Sequence, residues 1–349
     1  MEQVTLRDYQ AEIVGDTQKY FDQGYKSILI ESPTGSGKTI MGLSALKSYS
    51  EKNPNTKFAW VAMRRTLLKQ AFEENQKVGV KNIEFVSMFA KKPPKADVMV
   101  TDEAQHDSSE TCATLHERMG VKLALGLTAT PFRTDKIKLC YEKIINNYGV
   151  RFLIEKGWLS RFRQFVIPKW TPQHVSERFL ADPDRWGKSV FYFQNMDLCK
   201  QHDKYLKDAG IKSAVVSCEM SNNEQDDVFE AFEKGDIQCL TNINLLTEGF
   251  NCPDMGSVWV RDSGRLCTIQ MAGRVLRLDP KNPSKVANII QSEGTYFPYT
   301  KVTKPKEQYV WQENQWLSIS ANELVDSIST TVRNSVMTMP VNLPTFLAC

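Results

Sequence analysis

Short apolar runs alternate with longer amphipathic stretches along most of the chain. Residues 27–31, 57–63, 83–87, 97–102 and 121–127 are brief segments rich in Ile, Val, Leu and Phe, and they predict strands. Polar stretches with apolar positions at helical spacing, such as 65–76 and 109–119, fall between them. The rhythm restarts beyond residue 165. Strands are predicted at 188–194, 212–217, 237–241, 257–261 and 285–291, and helices at 195–209, 221–234 and 266–277. Strands alternating with helices build βαβ units around parallel sheets. The expectation is an α/β chain of two tandem units, 1–167 and 168–295, with a proline-containing connection at 168–183. Residues 296–349 break the rhythm. Aromatics and prolines come first, then Ser320 and Glu323 at capping-box spacing, then Leu324, Ile328, Val332 and Val336 at intervals of four. A small accessory segment ending in an amphipathic helix is expected there, docked on the second unit and available to a protein partner.

Length and composition change this picture little. The 349 residues suffice for two or three cores, and the 41% hydrophobic and 24% charged content is that of a globular protein. Net charge is only +3, from 44 basic and 41 acidic residues, so contact with a polyanion has to come from local patches. The eight cysteines form no C-x-x-C pair and no zinc-ribbon spacing, and they read as scattered reduced thiols. The N-terminus MEQVTLRDYQ is polar, and no apolar run approaches a membrane span. The expectation is a cytoplasmic, non-secreted monomer without membrane contact, in a bacterium or a virus-infected cell.

Two motifs carry chemistry. Ser32–Thr39 reads SPTGSGKT between a predicted strand and a predicted helix. Its glycines let backbone N–H groups wrap phosphates, Lys38 can reach the β and γ phosphates, and Thr39 can ligate Mg²⁺. Pro33, Thr34, Gly35, Ser36 and Gly37 complete the loop, and Ser32 stands where the general pattern has glycine. The run DVMVTDEAQH then ends an apolar strand on Asp102 and Glu103. A strand-end aspartate in this setting holds Mg²⁺, and a neighbouring glutamate can take a proton from the attacking water.

LRDYQ at 6–10, SPTGSGKT, DEAQH, TATP at 128–131, FYFQ at 191–194, TNINLLTEGFNCPD at 241–254 and QMAGRVLR at 270–277 occur in that order. The set resembles the motifs of superfamily 2 helicases of the DEAD/DEAH-box type, and the details are most similar to compact RadD-like, XPB-like and phage enzymes of DNA repair. The resemblance implies two RecA-like P-loop domains that close on one ATP. It implies that Gln270, Gly273, Arg274 and Arg277 form the pattern Q-x-x-G-R-x-x-R, with both arginines aimed at the γ-phosphate. Three residues apart, the two guanidiniums would share one face of a helix, and such a finger is worth on the order of 10³–10⁵ in rate.

By the same resemblance Arg7 and Gln10 read the adenine edge, and Glu248 and Gly249 touch the nucleotide from the second domain. Gln105, His106, Thr128 and Thr130 couple ATP state to closure. Arg64, Ser87, Gln194 and Thr241 lie on the nucleic-acid path. Gln105 stands where the family has Asp or His, and Asn251 where it has Asp. The aromatic and basic segment 151–165 reads as packing between domains or as a base-stacking surface. Lys91, Lys92 and Lys95, around a Pro-Pro turn, read as a solvated loop or a backbone guide. The implied activity is ATP-driven unwinding or translocation, with DNA as the nucleic acid. An ATPase clamp that remodels without separating strands, an RNA helicase and a small-molecule P-loop kinase all stay open.

Overall fold

The structure, a computed structural model, describes residues 4–106, 110–131, 139–247, 250, 252–312 and 314–319. Strands β1 (Ser27–Glu31), β2 (Phe58–Ala62), β3 (Ile83–Ser87), β4 (Val98–Asp102), β5 (Leu123–Thr128) and β6 (Lys143–Ile145) form the first sheet. Their order is β3-β2-β4-β5-β1-β6, and every pairing is parallel. Helices α1 (Asp8–Asp22), α2 (Lys38–Lys52), α3 (Arg65–Val78) and α4 (Glu110–Met119) belong to this unit. Parallel strands covered on both faces need unbroken apolar sequence rather than alternation. FAWVA and VMVTD meet that need, and every residue of β2 and β4 is buried. Helix α2 lies so close to the sheet that a Cβ on Gly42 would stand 2.8 Å from Leu127 and 2.9 Å from the Trp60 ring. Only glycine fits there.

After α5 (Val150–Glu155) come β7 (Arg161–Ile167), α6 (Pro172–Leu180), α7 (Pro183–Trp186), β8 (Ser189–Tyr192), α8 (Met196–Asp208) and β9 (Ser213–Val215). Then follow α9 (Asn222–Lys234), β10 (Cys239–Asn242), β11 (Ser257–Trp259), α10 (Arg265–Gly273), β12 (Val286–Ser292), β13 (Glu307–Gln312) and β14 (Gln315–Ser318). The second sheet has the order β14-β13-β7-β12-β11-β8-β10-β9 and is parallel except for the β13–β14 pair.

Three differences from the sequence expectation have physical reasons. Residues 161–167, expected to close the first unit, pair with β12 and β13 inside the second sheet, because Phe162, Phe165 and Ile167 are buried in its core. The expected connection 168–183 contains α6, capped by Thr171, whose hydroxyl accepts from the N–H of His174, with Pro172 in the first turn. Helix α10 ends at Gly273 rather than at 277. Beyond it the Leu276 carbonyl accepts from Ser160 N at 2.8 Å and Gly273 packs on Thr34 of the other unit, so contacts with distant segments set this turn.

The described part of the C-terminal segment is the β13–β14 hairpin on the edge of the second sheet. The stripe from Leu324 to Val336, with Ser320 and Glu323, lies outside the described residues. No helix of the described chain is long and apolar enough to cross a membrane. The largest apolar cluster is continuous between the units. It runs from Ile28, Trp60 and Leu127 through Leu153, Leu159 and Phe162 to Val190, Val258 and Ile289.

Candidate functional site

The strand-to-helix turn between β1 and α2 forms a backbone cradle at the C-terminal end of the first sheet. Gly35 and Gly37 have φ of +82° and +83°, a region that side chains rarely adopt. A Cβ on Gly37 would also meet Gln10 Nε2 at 2.6 Å, and one on Gly35 would meet Arg277 Cγ and Leu159 at 3.1 Å. Ser32 Oγ bonds Ser36 Oγ at 2.7 Å, so the serine that replaces the usual glycine braces the loop from inside. The carbonyl of Pro33 accepts from Ser36 N at 3.1 Å. Lys38 Nζ donates to the Ser32 carbonyl at 3.3 Å. Burial lowers the Lys38 pKa, partly offset by Glu103 and Asp102.

From α1, Gln10 closes on this loop. Its Nε2 donates to the Ser36 carbonyl at 2.9 Å, and its Oε1 accepts from Arg7 N at 3.0 Å. Tyr9 OH donates to the same Ser36 carbonyl. The Gln10 amide therefore braces the phosphate loop, where an adenine contact was expected. Arg7 stacks over Trp158, 4.5 Å from the ring centre, and lines the cavity together with it.

Asp102 ends β4 fully within the protein. Burial, and then the Glu103 carboxylate, push its pKa up to about 7. Glu103 sits at φ +54°, a strained backbone for a glutamate. The strain aims its side chain at Gln105, whose Nε2 donates to Glu103 Oε2 at 3.2 Å. Gln105 Oε1 in turn accepts from Thr128 Oγ1 at 2.7 Å, and Thr128 Oγ1 accepts from Thr130 N at 3.0 Å. One hydrogen-bonded line thus joins the carboxylate to the end of β5. A neutral glutamine can serve there because an amide donates at one end and accepts at the other.

The second unit supplies the facing wall. Arg274 and Arg277, on the turn after α10, each donate through Nη1 to the Phe250 carbonyl at 3.1 Å. They converge without sharing a helix face. Burial, and then Arg274, lower the Arg277 pKa to about 9. The backbone carbonyl of Arg277 accepts from Lys285 Nζ at 3.0 Å. Gly273 packs against the loop itself, where a Cβ would lie 3.0 Å from Thr34 Cβ. Gln270 is buried on α10 and does not line the cavity.

Thr34, Gly35, Gly37, Lys38, Thr39, Asp102, Glu103, Arg274 and Arg277 enclose one cavity of about 250 Å³ between the units. Sequence reasoning missed Trp158, Leu67, Gln70, Glu74, Pro253 and Leu278, which complete the walls. Trp158 stands in the aromatic-and-arginine segment 151–165 and Pro253 in TNINLLTEGFNCPD, and these were the signals for them. The side chain of His106, and all of Glu248, Gly249 and Asn251, lie outside the described residues. Thr39 at the head of α2 and the Asp102–Glu103 pair fit a divalent cation by their chemistry, since a hydroxyl and carboxylate oxygens, the hard donors such an ion takes, line one cavity.

The expected nucleic-acid residues separate. Arg64 bonds the Leu245 carbonyl of the second unit, so its guanidinium spans the boundary between the units. Ser87 Oγ accepts from Phe89 N at 3.3 Å, and Gln194 is exposed beyond β8. Thr241 is a correction. It is fully buried, and its hydroxyl pairs with His202 Nδ1 at 2.9 Å inside the core. In the 151–165 segment the packing alternative is the one the structure takes. Phe162 and Phe165 are core residues, Arg163 pairs with Glu307 at 2.7 Å and Arg151 pairs with Glu155 at 2.7 Å. That leaves no exposed stacking surface among those groups.

Residues 3–93 match the family described as type III restriction enzyme, res subunit, and residues 172–279 match the helicase conserved C-terminal domain. A 51.5 kDa protein of a Lactococcus phage (isolate 7-9) is 26% identical over 258 residues, 65% of this chain and 57% of its own length. The Saccharomyces cerevisiae protein named "Putative ATP-dependent helicase IRC3" is 22% identical over 346 residues, 78% of this chain and 49% of its own length. The chain thus spans about half the length of these relatives. Among solved structures, the ATP-dependent Type ISP restriction-modification enzyme LlaBIII bound to DNA superposes with a TM-score of 0.62 at 15% identity, over 85% of this chain and 28% of that one. Dbp5 of S. cerevisiae bound to RNA and ADP BeF3 superposes with a TM-score of 0.58 at 13% identity, over 77% and 79%. At such identities these two likenesses carry the fold.

Proposed function

Because the chain belongs to the superfamily 2 helicases, ATP-dependent enzymes of two RecA-like domains, we propose that it hydrolyses ATP between its units to move along or open DNA. The observation that carries this reading is the cavity shared by Lys38, Asp102 and Glu103 of one unit and Arg274 and Arg277 of the other. The loop amides and Lys38 hold the β and γ phosphates. Glu103, held by Gln105, accepts the proton of the water that attacks the γ-phosphorus as the bond to the ADP oxygen breaks. Arg274 and Arg277 balance the charge that spreads over the transferred group. Mg²⁺, held by Thr39 and Asp102, would supply charge neutralisation at the phosphates. Closure completes the site, so hydrolysis and domain movement proceed together. The first unit is taken to end before Arg161, since β7 belongs to the second sheet.

Steady-state ATP hydrolysis, alone and with single-stranded, duplex and forked DNA or with RNA, tests the proposal. Stimulation by DNA is expected, with Glu103→Gln and Arg274→Ala each reducing turnover by about 10³ or more. Stimulation by RNA alone would replace DNA with RNA as the substrate, the class that Dbp5 carries in its structure. Stimulated hydrolysis with no displacement of a labelled strand would favour the remodelling clamp over the unwinding motor. No stimulation by any nucleic acid, with Arg274→Ala as active as the parent, would overturn the reading.

A further inference from the structure

Strands β2 and β3 are parallel neighbours with Ala62 opposite Ser87, so the chain leaves both at the same end of the sheet. Two residues beyond Ala62 is Arg64, which touches the second unit through the Leu245 carbonyl. Two residues beyond Ser87 is Phe89, on the outer edge of the same row. Phe89 is 61% exposed, and among the described residues no aromatic ring packs against it. Its backbone is nevertheless tied to Ser87. Phe89 N donates to Ser87 Oγ at 3.3 Å and Ala90 N donates to the Ser87 carbonyl at 2.9 Å.

The loop that follows is tied to α4, with Arg118 Nη1 donating to the Lys91 carbonyl at 3.3 Å and Lys95 Nζ donating to the Arg118 carbonyl at 2.9 Å. Between loop and helix lies a depression of about 340 Å³. Phe89, Lys91, Thr111, Thr114 and Arg118 border it, and no residue of its lining is acidic. Thr111, Thr114 and Arg118 fall on one face of α4, at the three- and four-residue spacing of a helix. In a chain of net charge +3 this is a local positive patch around an exposed ring on a tied backbone.

We infer that Phe89, with Lys91 and Arg118 beside it, is a stacking subsite for a base of single-stranded nucleic acid. An aromatic ring offers its face to any base, while flanking lysine and arginine neutralise the backbone, so binding is tolerant of sequence. The charge of the depression selects a polyanion over an apolar peptide. The inference rests on the nucleic-acid reading above and adds to it a place where a base, rather than a phosphate, is held.

Fluorescence anisotropy with labelled oligo-dT and oligo-rU tests it on wild type, Phe89→Ala and Phe89→Trp, with basal ATP hydrolysis as the control for folding. Expected is about tenfold weaker binding of a single strand to Phe89→Ala, wild-type affinity in Phe89→Trp, and unchanged basal turnover. A strand of the same length lacking bases should bind wild type and Phe89→Ala alike, which a merely structural role for Phe89 would not produce. Preference for one sugar, if seen, assigns the subsite to DNA or to RNA. Equal binding of oligo-dT and oligo-rU by wild type and Phe89→Ala would sink the subsite and leave the proposed function standing. Failure of wild type to bind any strand would sink both.

Discussion

Asp102 is the residue on which proton and fold meet. Burial and the adjacent Glu103 raise its pKa to about 7, so the ligand-free folded state holds the proton more tightly than the unfolded chain does. The stability contributed by that proton is present below the unfolded value near 3.9 and declines as pH rises through neutrality. Asp102→Asn removes the penalty. In differential scanning fluorimetry without nucleotide, the variant should melt above the parent at pH 8, by about 2–4 °C for each kcal/mol relieved. The gap should close towards pH 4. A gap that widens at low pH would contradict the buried-carboxylate account. Gln105 carries a related lesson. Its departure from the family's Asp or His preserves the link, because its amide joins Glu103 to Thr128 with one donor and one acceptor.

At the scale of elements, β10 and α8 are joined through Thr241 and His202. Burial drops the His202 pKa to about 3, so the ring stays neutral and its Nδ1 needs a partner within the core. Thr241→Val keeps the shape and removes that partner. Urea unfolding should show a loss of about 1–3 kcal/mol, while affinity for single-stranded DNA stays at the wild-type level. A large loss of affinity with unchanged stability would return Thr241 to the nucleic-acid path. The end of α10 is likewise decided by neighbours. Ser160 N holds the Leu276 carbonyl, and the turn after Gly273 brings Arg277 over Gly35. The helical spacing of the two arginines was a local expectation, and the loop geometry achieves the same convergence by another route.

The whole molecule depends on how closely two glycine-bearing surfaces meet. Gly273 of the second unit lies against Thr34 of the phosphate loop, where a Cβ would stand 3.0 Å from Thr34 Cβ and press the two surfaces apart by a few tenths of an ångström. Gly273→Val would insert a branched side chain into that contact and hold the units apart. Each sheet would keep its own strands, so far-UV circular dichroism should stay near wild type, while the melting temperature falls because the apolar cluster is continuous between the units. Stimulated ATP turnover should fall about 10³-fold, as in loss of an arginine finger, and ATP binding measured with a slowly hydrolysed analogue should persist. Turnover close to wild type would show that closure is not required for chemistry. The chain matches about half the length of its curated relatives, so these expectations concern the paired core that it contains.

Contiguous chemistry was legible in the sequence. SPTGSGKT, DEAQH and QMAGRVLR each gather their candidate groups in a few adjacent residues, which line one cavity, and the strand–helix rhythm announced two parallel sheets, because apolar periodicity is a local property. Contacts between distant segments were not legible. Only the tertiary structure placed Trp158 and Glu74 in the cavity between the units, turned the Gln10 amide onto the Ser32–Thr39 loop, buried Thr241 and moved 161–167 into the second sheet. A serine, a threonine or a phenylalanine reads the same along the chain in a core as on a surface. Its neighbours in space, which come from residues up to a hundred or more positions away, decide which it becomes.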